Sequence, residues 1–187
     1  MVKDLIHKIE AKILSKCSEA DRNRDEIKLI AVSKNNPISK IKEVREFGLI
    51  HFGENKAQEL SKKAELVEEK VIWHFIGHLQ KNKVKYVVPN AEYIHSLDSA
   101  GLAEEIDKRA EKNNKIQKAL IQVNTSGEES KYGLSQYSEL LNLVELCQNL
   151  KNIEVVGLMT MAPFVDDDKI IRTSFSELKK YFDKLNQ

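Results

Sequence analysis

The chain lacks most of the features that assign a protein quickly. Its 187 residues hold only two cysteines, Cys17 and Cys147, far apart and in neither CxxC nor Cys/His spacing. That excludes a disulfide framework or a zinc knuckle and fits free thiols in a reducing cytosol. Basic and acidic residues number 30 and 29, a formal net charge of +1, so no net electrostatic drive toward nucleic acid or an anionic membrane follows. The lysines are spread along the chain rather than blocked, the pattern of solvated helix faces. No apolar stretch resembles a signal peptide or a membrane span, and the start, Met1-Val2-Lys3-Asp4, turns amphipathic at once. A cytoplasmic protein with neither nucleic-acid nor membrane partners is expected. GxSxG elbows, Walker loops and GxGxxG fingerprints are missing too. So are linkers and low-complexity segments, which leaves residues 1–187 as a single domain.

What is present is 41% hydrophobic and 32% charged, the balance of a soluble globular protein long enough for one sizeable core. Leu5, Ile6, Ile9, Ile13 and Leu14 have helical spacing, which predicts an amphipathic helix over 3–20. After the polar break 21–25, strands and helices alternate. Strands are predicted at 27–34, 49–53, 71–76, 93–97, 118–124 and 153–159. Helices are predicted at 39–47, 56–69, up to 113 behind a cap at Asp98 or Ser99, 135–150 and 168–185. The run Asp166-Asp167-Asp168 reads as a helix cap rather than a metal site. Repeated βα units with short connections mean a parallel sheet, and strands apolar on both faces favour a barrel or a doubly wound sheet. A TIM barrel needs eight strands and about 250 residues, about 200 at the low end. Six strands therefore read as a barrel cut short.

Lys34 stands out. It closes the run Ile27-Lys28-Leu29-Ile30-Ala31-Val32-Ser33-Lys34, which breaks at Asn35-Asn36-Pro37. Such a run predicts a central parallel strand, and β/α proteins place their chemistry at the C-terminal ends of such strands. Alternation puts Lys34 on the side of Val32 and Ile30, toward an interior. A lysine in that position shifts its pKa readily and can form a Schiff base. The alternative is a solvated lysine that has just left the strand. His74 and His78 have i,i+4 spacing, but within a strand that separates them by roughly 13 Å, too far for a helical metal pair. His51 and His95 read as strand-end histidines satisfied by neighbours.

Several motifs fall at equivalent places just after strand ends. They are Ala31-Val32-Ser33-Lys34, Phe52-Gly53-Glu54-Asn55, and Trp73 through Gln80 with Asn82-Lys83. Ile94-His95-Ser96-Leu97-Asp98, Ile121-Gln122-Val123-Asn124 with Ser130-Lys131-Tyr132-Gly133, and Gly157 through Pro163 complete the set. Together, and in this order, they resemble the YggS/PROSC family of pyridoxal phosphate homeostasis proteins over nearly the whole chain. The resemblance implies an α/β fold of the TIM (β/α)8 type, like the N-terminal domain of alanine racemase. It implies pyridoxal 5′-phosphate held as a Schiff base on Lys34, and a carrier that buffers or delivers the cofactor, with PLP-dependent apoenzymes as recipients and no turnover. Asn55 matches a polar position that resembles a cofactor contact. Met161 falls where the racemase barrel packs a side chain on the pyridine ring, and Lys131 aligns with a basic residue near the phenolic oxygen. From the residues alone, alternatives stay open: Asn55 as a helix cap, Met161 as core packing, Lys131 as a solvated loop lysine.

The family pattern continues with two more strands, whose Ser/Gly/Met loop and Arg-Ile-Gly-Thr-like segment supply the phosphate cradle; neither is found here. The expectation is a tail omitted or lost by proteolysis, with a truncated chain or completion by a partner as alternatives, and weaker cofactor binding without it. A monomer is expected, with unpaired edges on the first and sixth strands as a route to association. Two rival functions remain: a racemase-like PLP enzyme of the same fold, and a cofactor-free interaction module.

Overall fold

The computed structural model describes residues 2–128 and 132–187. Helix α1 (Val2–Glu19) leads into a polar turn with a short 3-10 segment at Arg24–Glu26, and then βα units follow one another. The strands are β1 (Ala31–Val32), β2 (His51–Glu54), β3 (Ile72–Phe75), β4 (Tyr93–Leu97), β5 (Gln117–Gln122) and β6 (Ile153–Met159). Between and after them lie α2 (Ile38–Arg45), α3 (Ala57–Leu66), α4 (Val84–Val87), α5 (Ala100–Lys112), α6 (Tyr137–Gln148) and α7 (Asp168–Leu185). Helix α4 and the 3-10 turn before it at Lys81–Lys83 have too few residues to show a helical period, and sequence periodicity misses them.

All six strands are parallel and lie in chain order, β1 to β6, as one sheet. Among the described residues the sheet is not closed, so β1 and β6 are its edges. Lys34 thus follows an edge strand of two residues, not the long central strand its apolar run predicts.

Register assigns the two faces. Phe52 pairs with Trp73, and Phe75 with Ile94 and through it Ala119; all five are buried in the core shared with the helices. Helix α5 contributes Leu102, Ala103, Ile106 and Ala110 to that core, a stripe at helical spacing, and stops where Asn114 takes a left-handed conformation (φ 50°), which asparagine tolerates. Fully burying each large apolar side chain of this kind stabilises the fold by about 1.5–3 kcal/mol. The opposite face carries Val32, His51, Gly53, His74, Tyr93, His95 and Lys118. It is therefore polar where the sequence run reads as apolar on both sides. At the far end, Asp167 caps α7 by accepting from the backbone N–H groups of Lys169 (2.8 Å) and Ile170 (3.3 Å), as the acidic run predicts.

Candidate functional site

The turn that carries Lys34 is anchored from beneath by a buried ionic network. Glu54, on the helix side of β2 and fully buried, accepts from Ser33 Oγ (2.7 Å) and from Lys63 Nζ (2.7 Å). Lys63, on α3, also donates to the Ser33 carbonyl (2.7 Å) and to Glu59 (2.8 Å), and Glu59 in turn accepts from the Asn35 backbone N–H (2.7 Å). The residues on both sides of Lys34 are thereby tied to α3. Sequence reading missed this network; its one local signal is the i,i+4 pair Glu59/Lys63, since Glu54 gives no sign of where its partner lies.

Ser33 takes the helix side, which leaves the inner face to Lys34. There the side chain is exposed, as is Val32 at 49%, and this corrects the expectation of an interior lysine. Alternation holds, but the open sheet leaves the inner face at this edge in water.

Register brings further residues level with Lys34. Val32, Gly53, His74 and Tyr93 form one row across β1 to β4, and two residues further along come Lys34, Asn55, Ile76 and His95. The Ile76 N–H donates to the Glu54 carbonyl (2.9 Å), which carries the parallel ladder into that second row. Asn55 is half-buried, and its Oδ1 is buried without a hydrogen-bond partner. It does not cap α3, whose N-cap is Lys56, with no side-chain cap bond. Gly77 lies against the Asn55 backbone so closely that a Cβ there would meet the Asn55 carbonyl oxygen at 2.3 Å.

His78, next along the chain, stacks on Tyr132 (centroids 3.8 Å apart, rings 12° from parallel), and its Nδ1 lies 3.7 Å from Asp98 Oδ2. Asp98 therefore faces a histidine, while Ser99 is the N-cap of α5 and makes no side-chain cap bond. Met161, beyond β6, is 51% exposed rather than packed in the core, and the neighbouring Thr160 hydroxyl bonds that of Thr125 (2.8 Å). Lys131 lies outside the described residues.

On the inner face, His51 Nδ1 is 2.9 Å from His74 Nε2, and His74 Nδ1 is 2.8 Å from His95 Nε2. Three imidazoles thus run in series across β2, β3 and β4, with the Tyr93 ring stacked on His74 (4.7 Å, 5°). Burial, the neighbouring histidines and Lys28 hold His74 down to about 3, and burial holds His95 at about 4. Burial and then Lys28 lower His51. His51 and His95 are satisfied by a neighbour as expected, but the neighbour is the same third histidine. Among the described residues, no group of three or more side chains is arranged to hold a metal ion. None of the described helices is long and apolar enough to cross a membrane.

Comparison with known proteins agrees with this geometry. Residues 15–187 match the family model described as alanine racemase, N-terminal domain. A pyridoxal phosphate homeostasis protein of Aquifex aeolicus is 40% identical over 183 residues, covering 97% of this chain and 80% of that protein. One from Haemophilus influenzae is 36% identical over 182 residues, covering 96% and 76%. The structure of PipY from Synechococcus elongatus with PLP bound superposes with a TM-score of 0.80 at 30% identity, covering 95% of this chain and 82% of that one. By fold and by sequence over nearly its whole length, the chain belongs to the alanine racemase N-terminal domain family, among the pyridoxal phosphate homeostasis proteins.

Proposed function

We propose that this chain binds pyridoxal 5′-phosphate covalently through Lys34 and acts as a carrier and buffer of the cofactor rather than as a catalyst. The observation that carries the reading is one register row. It holds an exposed lysine on an anchored turn and, on the neighbouring strand, an asparagine whose buried Oδ1 has no partner in the protein. A buried polar atom without a partner costs about 1–3 kcal/mol, and a ligand that supplies one recovers that cost. Half a turn of the Asn55 amide offers either an acceptor or a donor, so it suits a protonated or an ionised ring oxygen. Bound there, the cofactor supplies an aldehyde that an amine captures reversibly, on a conjugated ring that withdraws electrons.

The chain's residues then divide the work. Lys34 provides the amine, and the Glu54–Lys63–Glu59 network holds its turn. Asn55 orients the ring oxygen, Met161 lays a flexible thioether on the ring, and Lys131 provides positive charge near the phenolic oxygen. Residues 1–187 act as one cofactor-binding domain in the cytoplasm, monomeric in the main, with PLP-dependent apoenzymes as recipients. The carrier role is supported by curated relatives named for homeostasis rather than for a reaction.

The test is an intact-mass spectrum after mixing with pyridoxal phosphate and borohydride reduction, with Lys34→Ala alongside. One adduct on the wild type and none on the variant is expected. An adduct that survives in Lys34→Ala, or none on the wild type, overturns the assignment. Steady racemisation or decarboxylation of an amino acid by the loaded protein would overturn the carrier role.

A further inference from the structure

The three-histidine series is not absorbed by the site just described. It begins at the N-terminal end of the sheet, where His51 lines a cleft of about 410 Å³ together with Glu10, Arg24, Asp25 and Lys28. Its middle member, His74, is 3% exposed. It is held on both sides by hydrogen bonds of 2.9 and 2.8 Å, and on one face by the Tyr93 ring. The series ends at His95, in the row of Lys34 and Asn55. The charged groups facing it are Lys28, from the segment before β1, and Lys118 on β5; both sit over the Tyr93 ring, and Lys118 is paired with Glu92.

A neutral imidazole carries one N–H and one bare nitrogen. Three such rings in series therefore have two arrangements: every ring donates toward His95, or every ring donates toward His51. A proton delivered to one end and released from the other converts the first into the second, and no ring has to turn. The low proton affinities of His74 and His95 keep the series in these neutral forms at physiological pH.

We infer that His51, His74 and His95 form a proton path along the inner face of the sheet, from the N-terminal cleft to the row that holds Lys34. Its use rests on the proposed function. Attaching an aldehyde carbon to the Lys34 amine makes a carbon–nitrogen double bond, expels one water and, in going from the ammonium to the unprotonated imine, one proton. Release takes the water and the proton back. Without a ligand, Lys34 is open to solvent. On this proposal a ring-sized ligand bonded to Lys34 and held at Asn55 shields the amine, and the proton then enters and leaves through the histidine series, whose His95 end lies three strands from Lys34, roughly 14 Å along the row.

The discriminating variant is His74→Gln, which still donates and accepts a hydrogen bond but cannot pass a proton along. With pyridoxal phosphate as the probe, attachment and release are followed by absorbance and the thermal midpoint is measured alongside. General acid–base steps contribute about 100- to 10,000-fold. The variant is therefore expected to lose at least about tenfold in both rates, with the binding equilibrium and midpoint nearly unchanged. His51→Gln, at the less buried entry, repeats the test if His74→Gln does not fold. In the unliganded wild type, nitrogen NMR of the rings is expected to show His74 averaging between its two tautomers. A single fixed tautomer, or variant rates equal to wild type, overturns the path. Wild type that takes up no pyridoxal phosphate overturns the proposed function, and the purpose of the path with it; uptake with an unaffected variant overturns the path alone.

Discussion

Replacing Lys63 with methionine removes one ammonium and leaves three acceptors without it. Glu54 then keeps only the Ser33 hydroxyl, and its other oxygen already lacks a partner. The two side chains of the pair are 8% and 0% exposed, so the stranded carboxylate has no water to turn to. Breaking a buried pair from one side costs about 3–5 kcal/mol, and for a chain of this size that lowers the melting temperature by roughly 10 °C. Urea unfolding followed through Trp73, the sole tryptophan and buried in β3, measures the loss directly. The double variant Glu54→Gln/Lys63→Met is expected to recover part of it, because no buried charge is left unpaired. Lys16→Met, which breaks the exposed pair with Glu19, is the control and is expected to leave the stability nearly unchanged, because water screens an exposed pair. A Lys63→Met loss as small as the control's would refute the argument that this network anchors the Lys34 turn.

Gly77→Ala drives a Cβ against the Asn55 carbonyl and is expected to cost about 1–3 kcal/mol and to weaken cofactor binding through Asn55, as urea unfolding and a binding titration check. Histidine titrates near 6.5 when unfolded, but His74 and His95 are held at about 3 and about 4 in the fold. Between those limits only the unfolded chain takes up the protons, so the contribution is fully present above about pH 6.5 and is lost as pH falls. Unfolding series at several pH values should show His74→Gln flattening that slope by about one proton; an unchanged slope refutes the assignment. Burial holds the Cys147 thiol up at about 11, and both cysteines are buried, so native protein at pH 7.5 should alkylate slowly and denatured protein should show two fast thiols.

Alternating apolar runs and turn residues were enough to place every strand and the six longer helices, and β4, β6 and α7 begin and end where periodicity puts them. Local pattern suffices for these because helix and strand spacing is written in consecutive residues. The motif order was equally legible, and with it the family. Tertiary structure decided what periodicity cannot reach. Lys34 reads as interior, yet an open sheet edge leaves it in water. Glu54 reads as one letter of a loop motif, yet the pairing of β2 with α3 buries it on Lys63. His51, His74 and His95 read as separate strand residues; only the registers of β2, β3 and β4 bring them into hydrogen-bonded contact. Sequence by itself determined which elements form and to which family they belong, because those depend on neighbours in the chain. Which side chains meet, and which face meets water, depends on neighbours in space, and that was decided by the sheet.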